Sequence, residues 1–350
     1  DRRQRQMCIR DSRKPQLAEK IIMVGGLDGC GKTLFSPIVS ALDRVELPMY
    51  SYEIEHYCSL YSLKHLSLQS ASTLIRMQSD LKLYNSMMGR EVNFRPSDLS
   101  SVQKYHNPGQ YFERLFQPGD ELIPNIIDHK KPILNLTIHN VLFTSDPIWN
   151  ALGDRCVYVD VVRHPLYMVR QQQLNMKKLI DDVRDFIIYY ERQGKTYPYW
   201  AKGWEDLFDQ SSDIERSIHY IDQMTQRVEK AKKVLVKKYN ASILTIPFEK
   251  FVLNPEPWVE RIASAVSSNI TENTRKVMAQ QMVPRKKIAQ GLDLEIYRRC
   301  GWVPPIDGAS EHDELIIRRK DVELDASSST MKILDRICNE YEHCFWSPKC

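Results

Sequence analysis

This sequence predicts an α/β fold built on a doubly wound parallel sheet, and three observations predict it. Short apolar runs at residues 20–24, 132–138, 156–162 and 242–247 have the length and composition of strands. Between them lie stretches of helical period, at residues 32–45, 59–88, 165–178 and 213–239. A glycine-rich turn, Gly26-Leu-Asp-Gly-Cys-Gly-Lys-Thr33, joins the first strand to the first helix. Strands that alternate with helices need crossover connections, and these produce a parallel sheet covered on both faces.

Each element follows from its residues. The first strand ends at Gly25-Gly26, as a strand buried on both faces does. The next helix places Leu34, Ile38, Val39 and Leu42 on one side, and Pro37 within it predicts a kink because proline lacks a backbone donor. Residues 54–130 read as a helical insertion, and residues 59–88 keep one polar face. A short helix at 147–152 precedes the third strand, 156–162, which is apolar apart from Asp160. Tyr197, Tyr199, Trp200 and Trp204 mark an aromatic stretch, read as buried packing with an acceptor-pocket lining as the alternative. The longest helical pattern, 213–239, is capped by Ser212 or Asp213, and its lysines over 230–238 read as a solvated face.

After the strand at 242–247 come helices at 255–266 and 271–282. Beyond Gly291 the pattern weakens, and 326–329 reads as a small linker before a helix at 331–341. The expected organisation is a main domain over 13–294 and a C-terminal appendage over 295–350. Residues 2–12 spell the one-frame translation of a transposase sequencing adapter, so residues 1–12 are expected to be extraneous and disordered.

Composition narrows the function classes. The chain has 350 residues, 42% apolar and 27% charged, with a formal net charge of +4. Leaving out residues 1–12 removes four Arg and two Asp, so +2 remains. A charge this small calls for neither nucleic acid nor a membrane surface as partner. No apolar run nears the roughly 20 residues of a membrane helix. The seven cysteines after residue 12 are irregularly spaced with no Cys-x-x-Cys pair. The expectation is therefore a reduced, cytoplasmic protein without a disulfide framework or zinc site.

The turn carries the first chemistry. Gly26 to Thr33 fits the Gly-x-x-x-x-Gly-Lys-Thr pattern of a P-loop, between a strand and a helix as that motif requires. Gly26, Gly29 and Gly31 let the backbone fold tightly, so that amides from Asp28 and Cys30 onward point at phosphate oxygens. The helix beginning near Lys32 adds the positive end of its dipole. Lys32 supplies a mobile cation, and Thr33 a hydroxyl that could hold magnesium. The plainer alternative is a glycine-rich turn without a ligand. The fold class is thus a doubly wound parallel sheet of the P-loop nucleotide-binding type, with a helical insertion and a C-terminal appendage.

A second constellation, Val161-Val162-Arg163-His164-Pro165, closes the third strand. Here the chain resembles the P-loop sulfotransferase family, whose corresponding strand ends in Arg-Asp-Pro or a near variant. The resemblance implies that Arg163 contacts the phosphate beside the ribose of phosphoadenosine phosphosulfate. It also implies that His139, after the strand 133–138, is the catalytic base. Residues 243–255 resemble the family's later strand and helix start, and Arg285-Lys286-Lys287 with Gly291 resemble its basic loop that closes on the nucleotide. The likeness spans residues 20–294. Two positions depart from the family pattern: Lys32 stands where a Thr is usual, and Gln171 replaces a Ser. Read without the family, Arg163 could pair with a carboxylate, and His139 could be an ordinary polar residue at a strand end.

The reading that leads is a sulfuryl transferase that needs no metal. It would use Lys32 and His139 in catalysis, and a donor site of Gly26, Asp28, Gly29, Cys30, Gly31, Lys32, Thr33, Arg163, Gln171 and Arg285. Its partners are a nucleotide donor and a small-molecule or glycan acceptor. The alternative is an ATP-dependent small-molecule kinase, because the turn also resembles that of thymidylate-kinase relatives. Val157-Tyr-Val-Asp160 would then be a Walker B strand, with Thr33 and Asp160 holding magnesium. A P-loop protein that binds nucleotide without turnover is the third reading.

Overall fold

The computed structural model describes residues 16–98, 100–178, 185–288, 290 and 310–346. The proposed adapter segment, Gly291 and the start of the C-terminal segment lie outside the described residues. The chain begins with β1 (Ile21–Gly25), α1 (Lys32–Ser40), β2 (Met49–Tyr50), α2 (Tyr52–Ser62), α3 (Leu68–Met87), α4 (Gly109–Arg114) and α5 (Ile123–Lys130). It continues through β3 (Leu134–Thr137), α6 (Asp146–Leu152), β4 (Cys156–Val162), α7 (Val169–Lys178), β5 (Tyr189–Arg192), β6 (Lys195–Pro198) and α8 (Glu205–Gln210). Then come α9 (Asp213–Tyr239), β7 (Ser242–Pro247), α10 (Phe248–Leu253), α11 (Glu256–Ala265) and α12 (Glu272–Gln280), with α13 (Glu311–Glu323) and α14 (Ser328–Phe345) last.

The main sheet has the order β2-β3-β1-β4-β7, and every pairing in it is parallel. From β1 the chain winds to one side through β2 and β3, then crosses to β4 and winds to the other. The carboxyl ends of β1 and β4 therefore flank the switch point, where open α/β sheets leave a crevice. The turns after these two strands carry Gly26–Thr33 and Arg163.

Alternation along the strands divides the core. Ile22, Val24, Val157, Val159 and Val161 face one cluster, with Phe35, Ile38 and Val39 of α1 and Ile218, Ile221 and Met224 of α9. Ile21, Met23, Leu134, Leu136, Cys156 and Tyr158 face the other, with Ile54 of α2, Ile75 and Leu83 of α3 and Trp149 of α6. The segment expected as an appendage joins the first cluster. Leu315, Val322, Met331, Leu334, Ile337 and Cys338 all bury into it.

Several elements differ from the sequence reading for local reasons. The helical run expected at 59–88 is two helices, because Lys64 takes a left-handed conformation and Ser67 caps α3 by accepting the Ser70 amide. α1 stops at Ser40, before Arg44 turns left-handed at φ 62°. β2 has two residues, too few to show a period. The aromatic stretch holds an antiparallel hairpin, in which Tyr190 pairs with Tyr197 across a Gln193-Gly194 turn with both φ angles positive. Trp200 and Trp204 are buried and packed with Phe208, which agrees with packing rather than an exposed pocket wall.

Candidate functional site

The loop after β1 is shaped by glycines that no other residue could replace without a shift. Gly26 (φ 134°) lies against β4, and a Cβ there would stand 2.3 Å from the Val161 carbonyl oxygen. Gly31 (φ 105°) lies against Phe248, whose ring would be 2.2 Å from a Cβ. Both positions combine a left-handed backbone with a close approach. The Lys32 ammonium folds back over this loop. It donates to the Gly26 carbonyl, reaches the Leu27 carbonyl at 3.4 Å, and lies 3.8 Å from the Asp28 carboxylate. Lys32 is buried, whereas Thr33 is exposed at the start of α1. Cys30 is buried, and burial pushes its thiol up to about 11. Its side chain is core packing, and it serves the loop through its backbone.

Arg163 arrives from β4. One guanidinium nitrogen, Nη1, donates to the Gly29 carbonyl at 3.0 Å. The group lies over Phe248 at 4.4 Å and Tyr167 at 5.1 Å from the ring centres. Arg163 is only 9% exposed, and its Nε has no partner among the described residues. A buried guanidinium N–H without an acceptor is costly, so this position calls for one. Arg285 also comes to Phe248, at 5.7 Å, while Nη1 donates to the Ile288 carbonyl. Phe248 thus brings Gly31, Arg163 and Arg285 together. Gln171 Oε1 sits 3.1 Å from where a Cβ on Gly29 would stand. Its neighbour Gln172, which sequence reasoning passed over, donates to the Asp28 carbonyl at 2.8 Å.

His139 follows β3 and leans on Glu55 from α2. Glu55 Oε1 accepts from the His139 amide at 2.8 Å and from Nδ1 at 2.9 Å. A carboxylate only accepts, so Nδ1 carries the hydrogen and Nε2 is left with its lone pair. Burial favours the neutral ring, but the Glu55 charge and hydrogen bond outweigh it and raise the His139 pKa. Asp28 and Lys32 also act on that charge, which puts the imidazole within electrostatic reach of the glycine-rich loop. Tyr50 and Tyr52 lie nearly parallel to the imidazole, at 6.1 and 5.7 Å, and Phe186 adjoins Tyr52 at 5.8 Å. These three rings are 41–58% exposed, a sizeable aromatic surface beside one histidine.

Asp160, considered in the sequence as a magnesium ligand, is paired with a lysine in the structure. It is buried on the face shared with Tyr158, and its carboxylate lies 2.6 Å from the Lys232 ammonium. Lys232 also donates to Glu229 at 2.7 Å and Thr245 at 2.9 Å. The lysines of 230–238 are therefore not all a solvated face, because this one is drawn onto β4. A cleft of about 410 Å³ is lined by Phe143, Tyr199, Arg227 and Leu235 and by no residue of the glycine-rich loop.

The structure accordingly gathers Gly26–Thr33, Arg163, Gln171 and Arg285 around the β1–β4 crevice, with His139 beside them. Glu55, Gln172 and Phe248 were missed as site residues. Glu55 had one usable signal, an acidic first turn in the helix after Tyr50-Ser51. These features define a parallel α/β chain with a glycine-rich loop and a buried arginine at its switch point.

No protein-family model and no curated protein matches the chain. Among solved structures it is similar to the sulfotransferase domain from the curacin biosynthetic pathway, at 12% identity and a TM-score of 0.44, over 93% of this chain and 98% of that one. It is also similar to the sulfotransferase STF1 of Mycobacterium tuberculosis H37Rv, at 10% identity and a TM-score of 0.36, over 81% and 76%. The sulfotransferase STF9 of Mycobacterium avium gives 12% identity and a TM-score of 0.39, over 89% and 77%. No helix among the described residues is long and apolar enough to cross a membrane.

Proposed function

We propose that this chain is a P-loop transferase that moves a sulfuryl group from phosphoadenosine phosphosulfate to a hydroxyl or amine acceptor. The observation that carries the reading is Arg163: a buried guanidinium whose Nε has no partner among the described residues, held at the β1–β4 crevice by its Nη1 bond to the Gly29 carbonyl of the glycine-rich loop. A phosphate oxygen beside the ribose supplies the acceptor that Nε lacks. Arg285, 5.7 Å from the Phe248 ring centre, adds positive charge, and the loop amides with Lys32 hold the phosphosulfate end. The donor therefore fits the residues present.

In this reading the acceptor oxygen or nitrogen attacks sulfur in line, and the bond from sulfur to the bridging phosphate oxygen breaks. His139 Nε2 takes the acceptor's proton while Glu55 holds Nδ1–H and stabilises the imidazolium that forms. Lys32 exchanges the Gly26 carbonyl for the bridging oxygen as negative charge develops there. The aromatic surface of Tyr50, Tyr52 and Phe186 lies where an acceptor would approach His139. Asp160 is already committed to Lys232, which disfavours the magnesium-dependent kinase reading.

Calorimetric titration with adenosine 3′,5′-bisphosphate and, separately, with ATP and magnesium tests the choice. The expected result is binding of the bisphosphate that is indifferent to EDTA, and weaker binding in Lys32→Ala by about 2–4 kcal/mol, the scale for a charged partner in a partly desolvated site. Magnesium-dependent ATP binding without response to the bisphosphate would overturn it.

A further inference from the structure

Behind Arg163 runs a chain of hydrogen bonds that ends in α14. Glu249, in the first turn of α10, is 1% exposed. Its Oε1 accepts the His164 amide at 3.0 Å, and its Oε2 accepts the Tyr341 hydroxyl at 2.5 Å. His164 itself is fully buried. Its Nδ1 accepts the Leu166 amide at 3.3 Å, so Nε2 carries the hydrogen and donates to Glu342 at 3.1 Å. The imidazole stacks on Trp346 at 5.0 Å and meets Tyr341 edge-on at 5.5 Å. The peptide that carries Arg163 is therefore gripped from behind by side chains from the last helix.

We propose that α14 is a positioning element for the arginine turn, with Tyr341 as its positioning residue. The Tyr341 hydroxyl holds Glu249, Glu249 holds the His164 amide, and that hold sets the direction in which Arg163 presents Nε. Arg163 makes one hydrogen bond of its own among the described residues, to a loop carbonyl, and lies against two rings. Rings fix the plane of a guanidinium but not its rotation within that plane, so the orientation is set by the one bond to Gly29 together with the backbone behind it. Without the Tyr341 hydroxyl, the buried carboxylate must turn or admit water to replace the lost donor. Either change loosens its bond to His164. The consequence for binding rests on the reading of Arg163 as a phosphate ligand, whereas the hydrogen-bond chain does not.

The test compares Tyr341→Phe with the wild-type full-length chain in two measurements. The first is affinity for adenosine 3′,5′-bisphosphate and for adenosine 5′-phosphate, which lacks the ribose phosphate. We expect the bisphosphate to bind roughly tenfold more weakly to Tyr341→Phe, the monophosphate to bind unchanged, and the loss to vanish in an Arg163→Ala background. Arg336→Ala, which cuts the 2.7 Å bond tying α14 to Asp222 of α9, should leave both affinities alone. Equal losses for both nucleotides, or the same loss in Arg336→Ala, would reduce Tyr341 to a general stabiliser. The second measurement is amide hydrogen exchange over residues 163–168 without ligand. Faster exchange there, with α9 unchanged, is expected from Tyr341→Phe. If wild type shows no preference for the bisphosphate, the reading of Arg163 fails, and exchange alone decides the positioning role. Unchanged exchange would overturn the proposal.

Discussion

His139 and Glu55 carry a consequence that depends on the sign of one shift. Glu55 stabilises the imidazolium, so the folded protein holds the proton on His139 to a higher pH than an ordinary histidine does. A base must be neutral to act, so the pH profile of kcat/KM should rise through a pKa above the usual His value of about 6.5. Glu55→Gln removes the anion and leaves burial, which favours the neutral ring. The acid limb should move to lower pH, and the plateau should fall by about tenfold or more as the imidazolium loses its partner. An acid limb that stays in place would remove Glu55 from the mechanism. Gly31 offers a stability test at the same scale. Gly31→Ala sets a Cβ against the Phe248 ring at a left-handed φ, at a cost of about 2–5 kcal/mol for strain and overpacking together. Urea unfolding measures it, and a loss under 1 kcal/mol would mean that the loop relaxes freely, given the roughly 1 kcal/mol typical of any substitution.

At the scale of elements, β4 and α9 are joined through charge as well as packing. Lys232 and Asp160 are both nearly buried, with side chains 12% and 4% exposed. Lys232→Met leaves the carboxylate buried without its cation, which costs about 3–5 kcal/mol, whereas adding Asp160→Asn restores much of it because the uncompensated charge is gone. Denaturant unfolding of the single and double variants checks both statements, and equal losses in the two would contradict them. This pair also shows what the sequence could and could not convey. The bounds of β4, α9 and β7 were legible because long periods and apolar runs dominate there. Asp160 in an apolar strand was visible as an anomaly, but its partner lies on another element, beyond the reach of local pattern. The glycine-rich loop and Arg163 were legible for the opposite reason, since their residue types are tied to one backbone geometry. Glu55 and Phe248 were hidden, because an acid on a helix and a Phe after a strand have many ordinary uses. α13 was missed because its apolar residues are too few to show a stripe. Its start was written in Ser310 and Asp313, which cap it reciprocally.

For the whole molecule, the question is whether the last two helices are a separate body or part of the cooperative unit. The sequence suggested an appendage, since the helical pattern fades after Gly291. In the structure Leu334, Ile337 and Cys338 are buried in the same cluster as Cys30 and the β1–β4 face of the sheet. Ion pairs also tie α14 to α9 through Arg336 and Asp222, and α13 to α7 through Asp321 and Arg170. Helices that share a core with the sheet lose that burial only when the sheet's face opens, so both should unfold in one transition. Free cysteines report this without added labels. Cys344 is exposed and should react with a thiol reagent in the native protein, which calibrates the reaction. Cys30, beside the glycine-rich loop, and Cys338, in α14, are buried, and burial pushes both thiols above their ordinary value. In a urea series at fixed pH, peptide mapping of the modified protein should show both becoming reactive over the same concentration range. Reaction of Cys338 at clearly lower urea, with Cys30 still protected, would restore the appendage and detach α14 from the positioning of Arg163.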